Sequence, residues 1–159
     1  MKSNPQNTDE ERILILAPTG RDAPLTARFL TEAGLAAQVC ETAEDLRLKM
    51  LENAGLVFLT GEALTPETMA MLADNLRRQS PWSDVPLVVL TSGGGEDPAD
   101  METLALLGEI GNVTLVERPV RLTTLLSAVK SALRARSRQY EARDFLAAEA
   151  RSKAALEES

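Results

Sequence analysis

Thr60 is the side chain best placed for chemistry. It follows Leu56, Val57, Phe58 and Leu59, an unbroken apolar run bounded by Gly55 and Gly61, which predicts a strand buried on both faces of a parallel sheet. The carboxyl end of such a strand lies at the rim of the sheet, where open α/β folds place their chemistry. A hydroxyl there is a useful nucleophile or acceptor only beside a base, and the 159-residue chain contains no histidine. That absence also removes a His-ligated metal and a phosphohistidine carrier. Cys40 is the only cysteine, which excludes an intrachain disulfide and a multi-cysteine metal cage. Predicted on an outer strand, it is expected to be a small core residue rather than a nucleophile.

A second candidate is the loop APTGRD, residues 17–22, which leaves a strand and opens a helix. Backbone N–H groups and the helix dipole there suit an anion, with Thr19, Gly20 and Arg21 as the contacts and Arg118 reaching in from another rim loop. The glycine-rich loop 93–95 would close such a site. Against it, the loop has one glycine instead of a series and no Gly-Lys-Ser/Thr sequence, and the chain has one Trp, one Tyr and three Phe with which to sandwich a flavin. The alternative is that Asp22 caps the helix and Arg21 pairs with Glu62 or another rim carboxylate. Trp82, in PWSD, is either an interface anchor or a lid over the sheet edge.

The elements that must position these residues alternate along the chain. A polar tail over residues 1–11 precedes a first strand, Ile13–Leu16. A helix to about Ala33 follows, with Leu25, Phe29 and Ala33 on one face and Gly34 as its stop. Residues 36–40 form a modest second strand. Thr42 caps the next helix, with Asp45 three residues on, and Leu46 and Met50 face inward. After the strand ending at Thr60, Thr65-Pro66-Glu67 opens a helix with a buried stripe at Met69, Leu72 and Leu76. A fourth strand over 86–91, a helix over about 98–110 burying Leu104 and Leu107, a fifth strand over 113–116 and a last helix from Leu122 complete the order. This alternation predicts an α/β fold, a (βα)5 doubly wound, flavodoxin-like parallel sheet in the order 2-1-3-4-5.

Composition sets further limits. Hydrophobic residues make up 44% and charged ones 26%, which is globular rather than disordered. A net charge of −7 supplies no surplus cations for phosphates, so nucleic acid is not an expected partner. No apolar run nears the roughly 20 residues needed to span a bilayer, and the start MKSNPQNTDEER lacks a signal-peptide core. Membrane insertion is therefore not expected, and the cytoplasm is the expected location.

The strands ILIL, LVFLT and PLVVLTS, followed by VERPVRLTTLLSAVKSAL, resemble the receiver domains of two-component response regulators over about residues 11–136. The resemblance implies the receiver fold but not its chemistry. Receivers take a phosphoryl group on an aspartate at the position of Thr60. Their magnesium is held by an acidic pair matched here by Ala17 and Pro18, which offer a hard cation no carboxylate. The conserved lysine is matched by Arg118, which keeps the charge but not the geometry of a point donor. The aromatic switch residue is matched by Leu115. Only Thr91 and Pro119 are retained, the latter implying a cis Arg118-Pro119 bond. With these vestigial positions the chain resembles a pseudo-receiver, which implies no phosphoacceptor, no cofactor, no metal and no enzymatic activity.

The last helix carries Leu125, Leu126, Val129 and Leu133, and nothing stops it, since residues 134–159 hold neither glycine nor proline. Residues 137–159 are expected to form a helical linker beyond a domain spanning 12–136, and the stretch 134–159 would reach almost 40 Å at ~1.5 Å per residue. The stripes Leu133, Tyr140, Ala147, Ala154 and Val129, Arg136, Arg143, Ala150 place two arginines on the seam. This pattern supports a short or imperfect parallel coiled coil, and hence a homodimer, with a solvated linker helix as the alternative. A receiver-like domain running into such a helix resembles the amino-terminal module of multidomain proteobacterial sensor histidine kinases. The expected function is thus a non-catalytic regulatory module in a phosphorelay, binding a protein partner or itself and relaying through the helix to a downstream PAS or kinase domain. The alternative is a sensor for a small anionic ligand at the rim.

Overall fold

A computed structural model describes residues 9–18, 21–92 and 101–158. Five parallel strands, β1 (Ile13–Leu16), β2 (Ala37–Val39), β3 (Leu56–Thr60), β4 (Pro86–Ser92) and β5 (Asn112–Arg118), form one sheet in the order β2-β1-β3-β4-β5. Helices α1 (Asp22–Glu32), α2 (Ala43–Leu51), α3 (Pro66–Arg77), α4 (Met101–Ile110) and α5 (Leu122–Glu158) alternate with them. The expected (βα)5 sheet, its order and the long last helix are all present.

The three central strands are the most apolar because both of their faces are covered. Leu14, Val57, Leu59, Leu87 and Val89 face a layer that includes Leu46, Leu72 and Leu107, while Ile13, Ile15, Leu56, Phe58 and Val88 face Leu30, Leu125 and Val129. Fully burying a side chain such as Phe58 contributes about 2–3 kcal/mol. The register is continuous along the sheet: Leu16 lies beside Leu59, Thr60 beside Leu90 and Ser92 beside Arg118.

The helix starts follow their sequence signals. Thr42 Oγ1 accepts from the Asp45 N–H at 3.0 Å, and Thr65 Oγ1 accepts from the Thr68 N–H at 3.2 Å with Pro66 in the first turn. Gly34 ends α1 with a φ of +87°, a conformation that suits glycine. The face of α1 differs from expectation. Ala23 and Leu30 turn inward, whereas Leu25 is exposed, because Leu25 lies off the stripe set by those two residues.

Of the expected tail, residues 9–11 are helical and Arg12 is buried, while residues 1–8 lie outside the described residues. Arg12 donates to the carbonyls of Lys49 and Asn53 at 2.8 and 3.2 Å, tying this turn to the end of α2. Packing of α5 also runs past Arg136. Both Arg136 and Tyr140 are buried, and from Asp144 to Glu158 every residue is exposed. Among the described residues, no helix is long and apolar enough to cross a membrane.

Candidate functional site

Parallel strands bring their carboxyl ends to one edge, so the residues that leave β1, β3 and β5 meet at the rim. There Arg118, the last residue of β5, reaches across the sheet end. Its Nη2 lies 3.2 Å from Asp22 Oδ2 at the first turn of α1, and its Nη1 lies 3.3 Å from Glu62 Oε1 in the 3₁₀ turn Gly61–Ala63. All three side chains are partly exposed, at 30%, 47% and 29% of their area for Arg118, Asp22 and Glu62. One guanidinium against two carboxylates leaves this cluster net negative.

Arg118 is thus the partner of Glu62, where the sequence suggested Arg21. Arg21 instead precedes α1 as its N-cap residue, without a side-chain capping bond, and is exposed. Asp22 does not cap the helix; it sits inside the first turn with its carboxylate turned to Arg118. Thr19, Gly20 and residues 93–95, the other expected contacts of an anion, lie outside the described residues.

The vestigial receiver positions fall where the strand ends place them. Thr60 is 1% exposed, and among the described residues its Oγ1 makes no hydrogen bond. Glu62 Oε2, two residues on, is likewise buried without a partner among the described residues. Ala17 is partly buried and Pro18 exposed, and neither brings a carboxylate. Thr91 is buried at the end of β4, Leu115 is 51% exposed on the edge strand β5, and the Arg118-Pro119 bond is cis.

A guanidinium held between two carboxylates is neither a base nor a nucleophile, so the rim offers a charge cluster rather than an acid–base pair. Cys40, just past β2, is 2% exposed, and burial pushes its thiol up to about 11, which keeps it protonated and unreactive at neutral pH. Among the described residues, no group of three or more His, Cys, Asp or Glu side chains is placed to hold a metal.

A second cluster, at the opposite end of the sheet, escaped the sequence reading. Arg136 donates through Nε to the Ala54 carbonyl at 3.0 Å, through Nη1 to Ser83 Oγ at 2.8 Å and Gln139 Oε1 at 2.7 Å, and through Nη2 to the Tyr140 hydroxyl at 2.9 Å. Gln139 Oε1 also accepts from the Asp84 N–H at 2.7 Å, and its Nε2 donates to the Asp84 carbonyl at 3.0 Å. Arg143 pairs with Glu10 at 2.7 Å. Trp82 packs its ring 5.4 Å from that of Tyr140, and the guanidiniums of Arg136 and Arg143 both lie 5.5 Å from the Trp82 ring centre. Trp82 is therefore an internal anchor for α5. Burial lowers the pKa of Arg136 and raises that of Tyr140, and hydrogen bonds to Glu10 and Asp144 raise that of Arg143.

The two arginines placed on a helical seam by heptad spacing are thus taken up by the domain itself. The signal that identifies them is that Leu125, Val129, Arg136 and Tyr140 continue one buried stripe at helical spacing, with polar residues taking over where the sheet ends.

No protein-family model matches the chain, and no curated protein matches it. Solved structures do. The receiver domain protein (CheY-like) from Methanospirillum hungatei JF-1 superposes with a TM-score of 0.65 at 19% identity, covering 81% of this chain and 98% of that one. The N-terminal domain of a response regulator/sensory box/GGDEF three-domain protein from Carboxydothermus hydrogenoformans gives 0.60 at 22%, covering 83% and 98%. NtrX from Brucella abortus, in complex with ADP, gives 0.65 at 21%; 84% of this chain is covered, but only 28% of the NtrX chain. At these identities the likeness is one of fold, and the fold is that of the CheY-like receiver domains, here carrying a long C-terminal helix.

Proposed function

We propose that this chain is a non-catalytic regulatory module of a two-component signalling protein, a pseudo-receiver that acts through protein–protein contact and passes its orientation along α5 to a downstream kinase-type domain. The observation that carries this reading is α5 itself. It is one helix of 37 residues, fixed to the base of the sheet by Arg136, Gln139, Tyr140 and Arg143, and exposed from Asp144 to Glu158. Polar contacts are directional, so they fix the heading of the helix more closely than apolar packing alone. The exposed end shows Phe145, Leu146 and Leu156 at 63%, 56% and 74% of their area. An isolated helix of that length is marginal in water and gains from a partner.

The rim supports the non-phosphorylatable half of the reading. Thr60 stands in place of an acid, and Ala17 and Pro18 offer no metal ligand. The neighbouring structures, among them the N-terminal domain of a three-domain protein, are consistent with a module that works inside a longer chain. An anion sensor at the rim would need Arg118, whose guanidinium is already held by Asp22 and Glu62.

The test is the solution mass of the whole chain beside a truncation ending at Asp144, measured by light scattering. A dimer that becomes a monomer on truncation supports self-association through the exposed helix. Dimers in both cases would move the interface to the globular body, and monomers in both would remove self-association from the reading. Incubation with acetyl phosphate and magnesium should leave the mass unchanged, and a stoichiometric acyl phosphate on any residue would overturn the pseudo-receiver assignment.

A further inference from the structure

We propose that a groove at the base of the domain, where α5 leaves the body, is a docking site for a protein segment that carries apolar side chains flanked by lysine or arginine. The groove lies at the opposite end of the sheet from the rim. Its volume is about 440 Å³, within the range of roughly 300–1,000 Å³ at which clefts take ligands. Three elements wall it: the N-terminal turn at Glu10 and Glu11, the turn between α1 and β2 at Leu35, and α5. Along α5 the lining runs from Leu133 to Asp144, roughly 16 Å at ~1.5 Å per residue. A trough of that length suits a stretch of polypeptide better than a compact metabolite.

The lining selects the chemistry of the occupant. Leu35, Leu133 and Tyr140 supply apolar surface, and Glu10, Glu11, Glu141 and Asp144 surround it with carboxylates. Arg143 takes up Glu10 and Asp144, at 2.7 and 2.8 Å. Glu11 and Glu141 are exposed and have no ion pair or side-chain hydrogen bond among the described residues, so their charge is available to a partner. Arg134, the single cation of the lining, sits at the far end of the groove from Asp144. Four carboxylates to one guanidinium attract a cationic partner and repel nucleic acid. The same excess argues against a second copy of this chain: a two-fold contact would set acid against acid, and a heterologous one runs on into an open filament unless its rotation closes. Because the N-terminal turn and α5 both wall the groove, an occupant grips the helix just before its exposed stretch and so acts on the heading that α5 passes on. The inference deepens the function proposed above, from which it takes only that the module works by protein contact.

The experiment uses the full chain and, as the probe, a fluorescein-labelled amphipathic peptide of alternating leucine pairs and lysine pairs, followed by fluorescence anisotropy at ~0.15 M salt. The same peptide with glutamate for lysine is the control. Wild type should bind the lysine peptide saturably, with one peptide per chain, and the glutamate peptide not at all. Reversing the groove charges with Glu11→Lys and Glu141→Lys should weaken binding at least about tenfold. Glu109→Lys with Glu117→Lys, the same change of net charge on exposed residues outside the groove, should leave it within about twofold. Ser137→Phe, which adds bulk from an exposed position on the groove wall, should abolish binding without touching a charge. No saturable binding by wild type, equal weakening by the two charge reversals, or full binding by Ser137→Phe would overturn the assignment. So would an oligomer that Ser137→Phe dissolves, since a second copy would then occupy the groove. A chain that fails here and still dimerises through the exposed end of α5 loses this site and keeps the function proposed above.

Discussion

The hydroxyl of Tyr140 donates to the carbonyl of Ala54 at 2.8 Å, and the N–H of Ala54 donates back to the same hydroxyl at 3.2 Å. One side chain on α5 thus satisfies both backbone groups of the residue two positions before β3, at a point where Ala54 is buried and has no strand neighbour to pair with. Buried backbone groups left unpaired cost as much as lost hydrogen bonds. The contact therefore belongs to the stability of the central strand as well as to the docking of the helix.

Tyr140→Phe removes the hydroxyl and keeps the ring. It leaves the Ala54 N–H without its acceptor and takes one acceptor from Arg136, so a loss of about 1–3 kcal/mol is expected. Trp82, the only tryptophan, lies against the Tyr140 ring, so its emission reports on this cluster directly. Chemical denaturation followed by Trp82 fluorescence should show a lower midpoint with an unchanged slope. A midpoint equal to that of wild type would mean that Tyr140 contributes only packing.

Much of the fold is legible in the sequence because its signals are local. Runs such as Ile13–Leu16 and Leu56–Thr60 identify strands covered on both faces, and Thr42 and Thr65 mark helix starts by bonds to residues three positions on. The strand order followed from the commonest arrangement of five such units. The partner of each rim charge was not legible. Arg118 and Asp22 are 96 residues apart, and nothing local distinguishes Arg118 from Arg21 as the partner of Glu62. The base cluster was hidden for the same reason: Arg136 meets Ala54 across 82 residues and Arg143 meets Glu10 across 133, so each arginine, taken alone, resembles a charged position on a solvated helix.

Gly55 is required by a close approach. A Cβ at this position would lie 2.7 Å from Leu133 Cδ2 and 2.9 Å from the backbone C and O of Glu11. The leucine end can move, but the Glu11 backbone is anchored through the neighbouring Arg12, whose carbonyl accepts from the Gly55 N–H at 2.8 Å. Gly55→Ala should therefore push α5 and the N-terminal turn outward at a cost of about 1–3 kcal/mol. Gly108→Ala, where no atom lies within 4 Å of the added Cβ, is the control and should match or exceed wild type in stability, since it replaces a helical glycine. Equal thermal midpoints for the two variants would contradict this account.

Cys40 gives the chain an alkaline limit. Burial raises its thiol from 9.0 to about 11 in the folded protein. Between those values the unfolded chain releases the proton while the folded chain keeps it, so the unfolded state binds fewer protons and stability falls as pH rises. The contribution is complete below pH 9 and is lost toward pH 11, a decline of about 2 kcal/mol. Tyr140, also raised by burial, adds to the decline at the upper end. Cys40→Ala will be less stable overall because it leaves a small cavity, but its stability should fall less steeply than that of wild type over this range. Parallel pH profiles would show that Cys40 does not couple folding to pH.

Thr60 decides whether the rim retains any use for a side chain at this position. Its Oγ1 is buried and makes no hydrogen bond among the described residues, so there the hydroxyl carries a desolvation cost with no compensating partner. Thr60→Val keeps the branched shape suited to a strand and removes the oxygen, and should be neutral or stabilising by up to about 1 kcal/mol. Thr60→Ala, which also removes a methyl group from a site 1% exposed, should lose stability instead. Thr60→Asp would bury a carboxylate at a position 1% exposed; it should destabilise the fold and still accept no phosphoryl group, since Ala17 and Pro18 supply no metal ligand. Thermal melts of the three variants separate these effects. A stability loss in Thr60→Val as large as that in Thr60→Ala would mean that the hydroxyl is engaged by a group beyond the described residues, and would contradict this account.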